Sequence, residues 1–152
     1  MSPAAAPAAE VREILPPDTA LAFEAMHALR GHVQDEAELV ERIDGLQRAQ
    51  GYRLAGGFEA HTEQAAAVAG FRVLDMLAYG RILYVDDLAT RPDARRRGHG
   101  RALLAWCAAE AARAGCAQLQ LDSAVIPERE DAHRLYFNAG MRITSYHFGR
   151  NL

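Results

Sequence analysis

The run Arg95-Arg96-Arg97-Gly98-His99-Gly100-Arg101 combines clustered cations with two spaced glycines. It stands between an apolar stretch, Ile82–Thr90, and a helical pattern, Arg101–Ala114. A strand, a glycine-rich turn and a helix start together make an anion site. Glycine permits positive φ and close backbone approach, the first helical N–H groups have no partner inside the helix, and the dipole adds partial positive charge. The natural guest is a phosphate or a pyrophosphate.

Two familiar phosphate loops do not fit. A P-loop places Gly-Lys-Ser/Thr at the turn, whereas Gly100 is followed by Arg101-Ala102 and the chain has no lysine. A dinucleotide fingerprint needs a third glycine three residues after the second, and that position is Leu103.

What remains resembles the Arg/Gln-x-x-Gly-x-Gly/Ala signature of the GNAT acyltransferases, with Arg95, Gly98 and Gly100 in the defined places. Two flanking stretches are similar to the same family. Tyr84-Val85-Asp86-Asp87-Leu88-Ala89-Thr90 resembles its fourth strand, and Asp131–Met141 resembles its Ala-x-x-Φ-Tyr-x-x-x-Gly-Φ helix, with Tyr136 at the tyrosine. The resemblance covers roughly residues 65–147.

It implies acetyl-CoA as donor and a small-molecule primary amine as acceptor, with direct attack in a ternary complex. The diphosphate would meet the side chains of Arg95, Arg97 and Arg101 and the amides of Arg96, Gly98 and Gly100, with His99 inside the same turn. The pantetheine arm would lie beside Leu88, Ala89 and Thr90, with the Leu88 amide facing the thioester oxygen. Tyr136 would give its proton to the leaving thiolate. Asp86 or Asp87 would take a proton from the amine, whose free pKa is about 10.4 and whose deprotonation at pH 7 costs on the order of 4–5 kcal/mol. Strand alternation admits only one of the two aspartates to the slot, and parity with Leu88 favours Asp86.

The helix asparagine common in the family is replaced by Arg129, which could reach a phosphate or a substrate carboxylate. His133, one turn before Tyr136, could pair with the cofactor, relay a proton or cap a buried network. Asp122 and Ser123 end the fifth strand where the acceptor should enter. No histidine or cysteine set has metal-ligand spacing, so no metal is expected. Other readings stay open: an acyl-CoA-binding sensor or partner subunit without turnover, a protein or peptide amine acetyltransferase, and a nucleic-acid binder built on Arg95–Arg97.

Composition narrows these. At 152 residues the chain suits one domain over 10–152, after an Ala/Pro-rich tail over 1–9 that reads as disordered. A net charge of −3 argues against nucleic acid. No stretch approaches the roughly 20 apolar residues of a membrane span. Cys107 and Cys116 are too few for a disulfide scaffold, which suits a reducing cytoplasm. A homodimer is carried as one assembly.

The elements that must position these residues follow from periodicity. Strands are expected over Val11–Leu15, Tyr52–Phe58, Ala66–Leu74, Ile82–Thr90, Gln118–Asp122 and Met141–Phe148. Helices are expected from Asp18 to Leu29, Asp35 to Ala49, Arg101 to Ala114 and Glu130 to Ala139. The fold class is α/β. With the resemblance it becomes a mixed, mostly antiparallel sheet of six to seven strands, splayed between strands 4 and 5, with about four helices on both faces.

Overall fold

Short apolar alternations set five strands, and the glycines and prolines between them set their ends. The computed structural model describes residues 10–152, so the tail expected over 1–9 lies outside the described residues. Strands β1 (Glu10–Glu13), β2 (Arg53–Phe58), β3 (Ala67–Met76), β4 (Gly80–Thr90) and β5 (Gln118–Leu121) form one sheet in sequence order. The first four pair antiparallel, and β5 joins β4 in parallel. That parallel ladder holds only Ile82–Val85 of β4. Beyond Val85 the two strands part, and the splay opens a slot along the rest of β4.

Helices α1 (Phe23–Leu29) and α2 (Glu36–Arg42) cover one face. The Asp35 carboxylate caps α2 by accepting from the Glu38 amide at 2.8 Å. The helical path continues through a π turn over Ile43–Gln47 and a 3-10 turn over Arg48–Gln50. Their core joins Ile14, Met26, Leu39, Ile43, Leu54 and Val68. Helix α3 (His99–Arg113) covers the other face, where Leu103 and Cys107 pack on Phe71, Leu83 and Val85. Each fully buried Leu, Ile or Phe contributes about 1.5–3 kcal/mol relative to exposure. Helix α4 (Glu130–Asn138) follows β5 and ends at Gly140, whose φ of 82° continues no helix.

The mixed, mostly antiparallel sheet, its splay between the fourth and fifth strands and the four helices on both faces match the sequence reading. One strand does not. Residues Met141–Phe148 join no ladder and Ile143, Tyr146 and Phe148 are exposed, so the described sheet has five strands rather than six or seven. Alternation gives a segment two faces, but a strand also needs an edge to bond, and that partner is not encoded locally.

Candidate functional site

The glycine-rich turn forms as its residue types require. Arg96 (φ 63°) and Gly98 (φ 83°) are left-handed, which turns successive backbone N–H groups toward one concavity. Helix α3 starts without a side-chain cap, and its first bond runs from the Ala102 amide to the Gly98 carbonyl. The amides of His99, Gly100 and Arg101 therefore have no acceptor within the helix. The two glycines serve different ends. Gly98 supplies the positive φ, whereas a Cβ on Gly100 would lie 3.0 Å from Leu135 Cδ2, so its bareness lets α3 approach α4.

The arginines divide. Both oxygens of Glu59 accept from Arg97 at 2.9 Å, and the His99 Nε2 atom lies 2.6 Å from the same carboxylate. His99 and Arg97 together hold the Glu59 carboxyl below the usual carboxylate range. Arg97 is thus drawn to the end of β2. Arg95, Arg96 and Arg101 instead line a cavity of about 720 Å³, together with Gly98, His99 and Gly100.

That cavity continues past Leu88, Ala89 and Thr90 to Arg129, Leu135 and Tyr136. The Arg91 amide donates inward to Ala66 of the neighbouring chain segment at 2.8 Å. Counting back by twos, the amides of Ala89 and Asp87 also face β3, and those of Thr90 and Leu88 face the open slot. Tyr136 is only 8% exposed. Burial raises its phenol above the ordinary value, and the adjacent Arg129 guanidinium opposes that rise. The phenol is therefore protonated at neutral pH and has a cation beside it that favours proton loss.

The aspartates depart from simple alternation. The β3–β4 register pairs Gly70 with Asp87 but Phe71 with Val85, leaving Asp86 as the extra residue of a bulge. Leu83 and Val85 before it and Leu88 after it all pack toward the α3 core. Asp86 and Asp87 thus share one place in the alternation, and the expectation that parity separates them is corrected. Asp86 receives a two-pronged Arg72 guanidinium at 2.8 and 2.9 Å. Asp87 accepts from Arg30 Nε through one oxygen and from the Tyr52 hydroxyl through the other, each at 2.8 Å. The Tyr52 phenol lies across Gly70, where a Cβ would be 1.7 Å from the hydroxyl oxygen. Burial and Asp87 together raise that phenol well above the ordinary tyrosine value. Asp87, Tyr52 and Arg30 also border a second cavity of about 450 Å³ beneath α2.

Asp122, Ser123 and His133 lie apart from both cavities. The Tyr84 hydroxyl donates to Asp122, and the His133 Nε2 atom is 3.1 Å from Ser123 Oγ. The structure therefore gathers Leu88–Thr90, Arg95, Arg96, Gly98–Arg101, Arg129 and Tyr136 around one space and leaves Asp86, Asp87, Arg97, Asp122, Ser123 and His133 outside it. Arg30, Tyr52, Gly70, Arg72 and Glu59 escaped the sequence reading, since nothing local marks a partner tens of residues away. Among the described residues no cluster of three or more His, Cys, Asp or Glu side chains could hold a metal, and no helix is long and apolar enough to cross a membrane.

Comparison with known proteins gives the family. Residues 18–141 match the acetyltransferase (GNAT) family, and the chain belongs to it. It is 32% identical over 124 residues to the uncharacterized N-acetyltransferase YhdJ of Bacillus subtilis, covering 81% of this chain and 84% of that protein. An acetyltransferase of Trypanosoma brucei superposes with a TM-score of 0.77 at 20% identity, over 95% of this chain and 99% of that one. The aminoglycoside N-acetyltransferase AAC(6')-Iy, solved in complex with CoA, gives 0.71 at 13% identity, over 95% and 94%. The class is acetyltransferase with an acyl-CoA donor.

Proposed function

We propose that the protein is an N-acetyltransferase that moves an acetyl group from acetyl-CoA to a primary amine of a small molecule, in one ternary complex. The observation that carries this is a single cavity bounded by unpaired main-chain donors at one end and a buried phenol beside a guanidinium at the other. Residues 10–152 act as one domain in this reading. The unpaired thiols suit a cytoplasmic setting; burial pushes Cys107 up to about 12, which keeps it unreactive.

The fit to an acyl-CoA rests on charge and shape. The three cavity-lining arginines of the turn, Arg95, Arg96 and Arg101, and three orphan amides suit a diphosphate, and the outward Leu88 and Thr90 backbone suits an amide-bearing arm laid along β4. The donor supplies its acetyl group already activated as a thioester.

This chain's residues then do the following. The Leu88 amide stabilises negative charge as it builds on the thioester oxygen while the amine nitrogen bonds to the carbonyl carbon. Tyr136 gives its proton to sulfur as the C–S bond breaks, and Arg129 stabilises the phenolate left behind. The ammonium form of the amine first loses one proton to solvent water, which frees the attacking lone pair, and the proton lost on acylation returns the phenol to its neutral form. Asp86 and Asp87, at the bulge just before Leu88, hold Arg72, Arg30 and Tyr52 in place. Since every carboxylate oxygen there already holds an arginine or Tyr52, they position these partners rather than carry the proton themselves.

Thiol release from acetyl-CoA over a panel of small amines, polyamines, aminoglycosides and peptides tests the reading. Turnover on a small amine supports it. Tight acetyl-CoA binding with no turnover across the panel would replace it with a sensor, and turnover on peptides alone with a protein acetyltransferase.

A further inference from the structure

His99 is the first residue of α3, and it is only 4% exposed although Arg97 and Arg101 around it are open to solvent. Glu59, one residue past the end of β2, carries an ionised carboxylate, because its two cationic and imidazole partners hold the carboxyl below its usual range. A carboxylate only accepts, so the His99 Nε2 atom donates across the 2.6 Å contact. The other ring nitrogen, Nδ1, lies beside Gly57 of β2 and has no hydrogen-bond partner. A buried nitrogen left unpaired is a cost that leucine or isoleucine at the same place would avoid. Packing therefore does not account for an imidazole here. What it has, and an apolar side chain lacks, is the bond to Glu59.

That bond bears on the chain around it. The amides of His99, Gly100 and Arg101 are the donors the helix leaves free, and their direction is that of the first turn of α3. Between the buried Ala94 and the buried His99 four residues in a row are exposed, and no side chain caps the helix. Glu59 reaches both flanks of the left-handed Gly98: Arg97 before it and His99 after it. One carboxylate thus ties the freest part of the turn to the end of β2.

We propose that Glu59 is a positioning residue for the donor: by holding His99 and Arg97 together it presets the direction of the free amides that meet the diphosphate. The inference rests on the acyl-CoA reading of the main cavity and adds to it a residue that does not line that cavity. Donors fixed before binding need no reordering when the anion arrives. Charge alone predicts the opposite sign. Removing the Glu59 carboxylate leaves Arg97 as an uncompensated cation next to the diphosphate, which would tighten binding. Positioning and field therefore differ in the direction of the change, not only in its size.

Calorimetric titration of the full chain with coenzyme A separates them. Glu59→Gln should weaken binding about tenfold, although it makes the chain more positive. His99→Ala should weaken it by a similar factor, and the two changes together should cost little more than either alone, since both remove one contact. His99→Gln, whose side-chain amide can still donate to Glu59, should recover most of the affinity. Ile43→Val, a small loss from the core beneath α2, should leave Kd unchanged. Equal or tighter binding in Glu59→Gln, additive losses in the double variant, or a His99→Gln chain no better than His99→Ala would each overturn the proposal and leave the acyl-CoA reading standing. A wild-type chain that does not bind coenzyme A would overturn both.

Discussion

Two tyrosines in this molecule have opposite prospects, and their surroundings say why. Tyr136 borders the main cavity with the Arg129 guanidinium beside it, which favours loss of its proton. Tyr136→Phe keeps the ring and removes that proton. It should lower kcat about 100-fold while leaving acetyl-CoA affinity nearly unchanged, measured by steady-state kinetics and calorimetric titration. Unaltered kcat would take the phenol out of the reaction. Tyr52 spends its proton on Asp87 and lies across Gly70. Tyr52→Phe leaves a buried carboxylate oxygen without a partner and should cost about 1–3 kcal/mol in urea unfolding. Gly70→Ala should cost more, because the added methyl collides with the phenol rather than only unbonding it. Equal costs for the two changes would mean that Tyr52 repacks freely.

At the scale of elements, the junction between the end of β2 and the start of α3 is electrostatic. Glu59 binds Arg97 and His99 there, and its carboxyl titrates below its unfolded value of about 4.3. A group whose folded pKa is depressed stabilises the fold above the unfolded value, and that stability is lost as pH falls through the lower folded value. Urea midpoints should therefore drop below about pH 4.5, and drop less steeply in Glu59→Gln, which lacks the titrating group. Parallel curves would show that Glu59 contributes nothing to acid sensitivity. The same junction explains what sequence could and could not reveal. The strand, glycine turn and helix start are local, so the turn over residues 95–101 was legible from type and spacing alone. Which arginines face the cavity is decided in part by Glu59, which, from 38 positions upstream, draws Arg97 away. Likewise the Asp86-Asp87 pair is visible in any reading of β4, but the bulge that lets both share one place depends on how β3 registers, with Gly70 opposite Asp87. The strand over 141–148 failed for the converse reason: its own residues are strand-like, and what it lacks is a neighbour.

Across the whole molecule the sheet is unequal. Strands β1 to β4 are closed by two cores, whereas β5 is joined to β4 by a four-residue ladder and α4 buries only Tyr136 fully. Regions with few buried contacts open at lower free energy than the core. Amides of β5 and α4 should thus exchange with solvent well before those of β2 and β3. An acyl-CoA lying in the slot would touch β4 and the anion turn on one side and α4 on the other, tying the weak half to the strong one. Binding to the folded state alone at 100 times Kd adds about 2.7 kcal/mol, which for a chain of this size raises Tm by about 5–11 °C. Coenzyme A should accordingly raise Tm in that range and slow hydrogen exchange most in α4, least in β1 and β2. A rise in Tm with protection spread evenly over the sheet would place the ligand somewhere other than this cleft, because a ligand bridging the two halves cannot stabilise them equally.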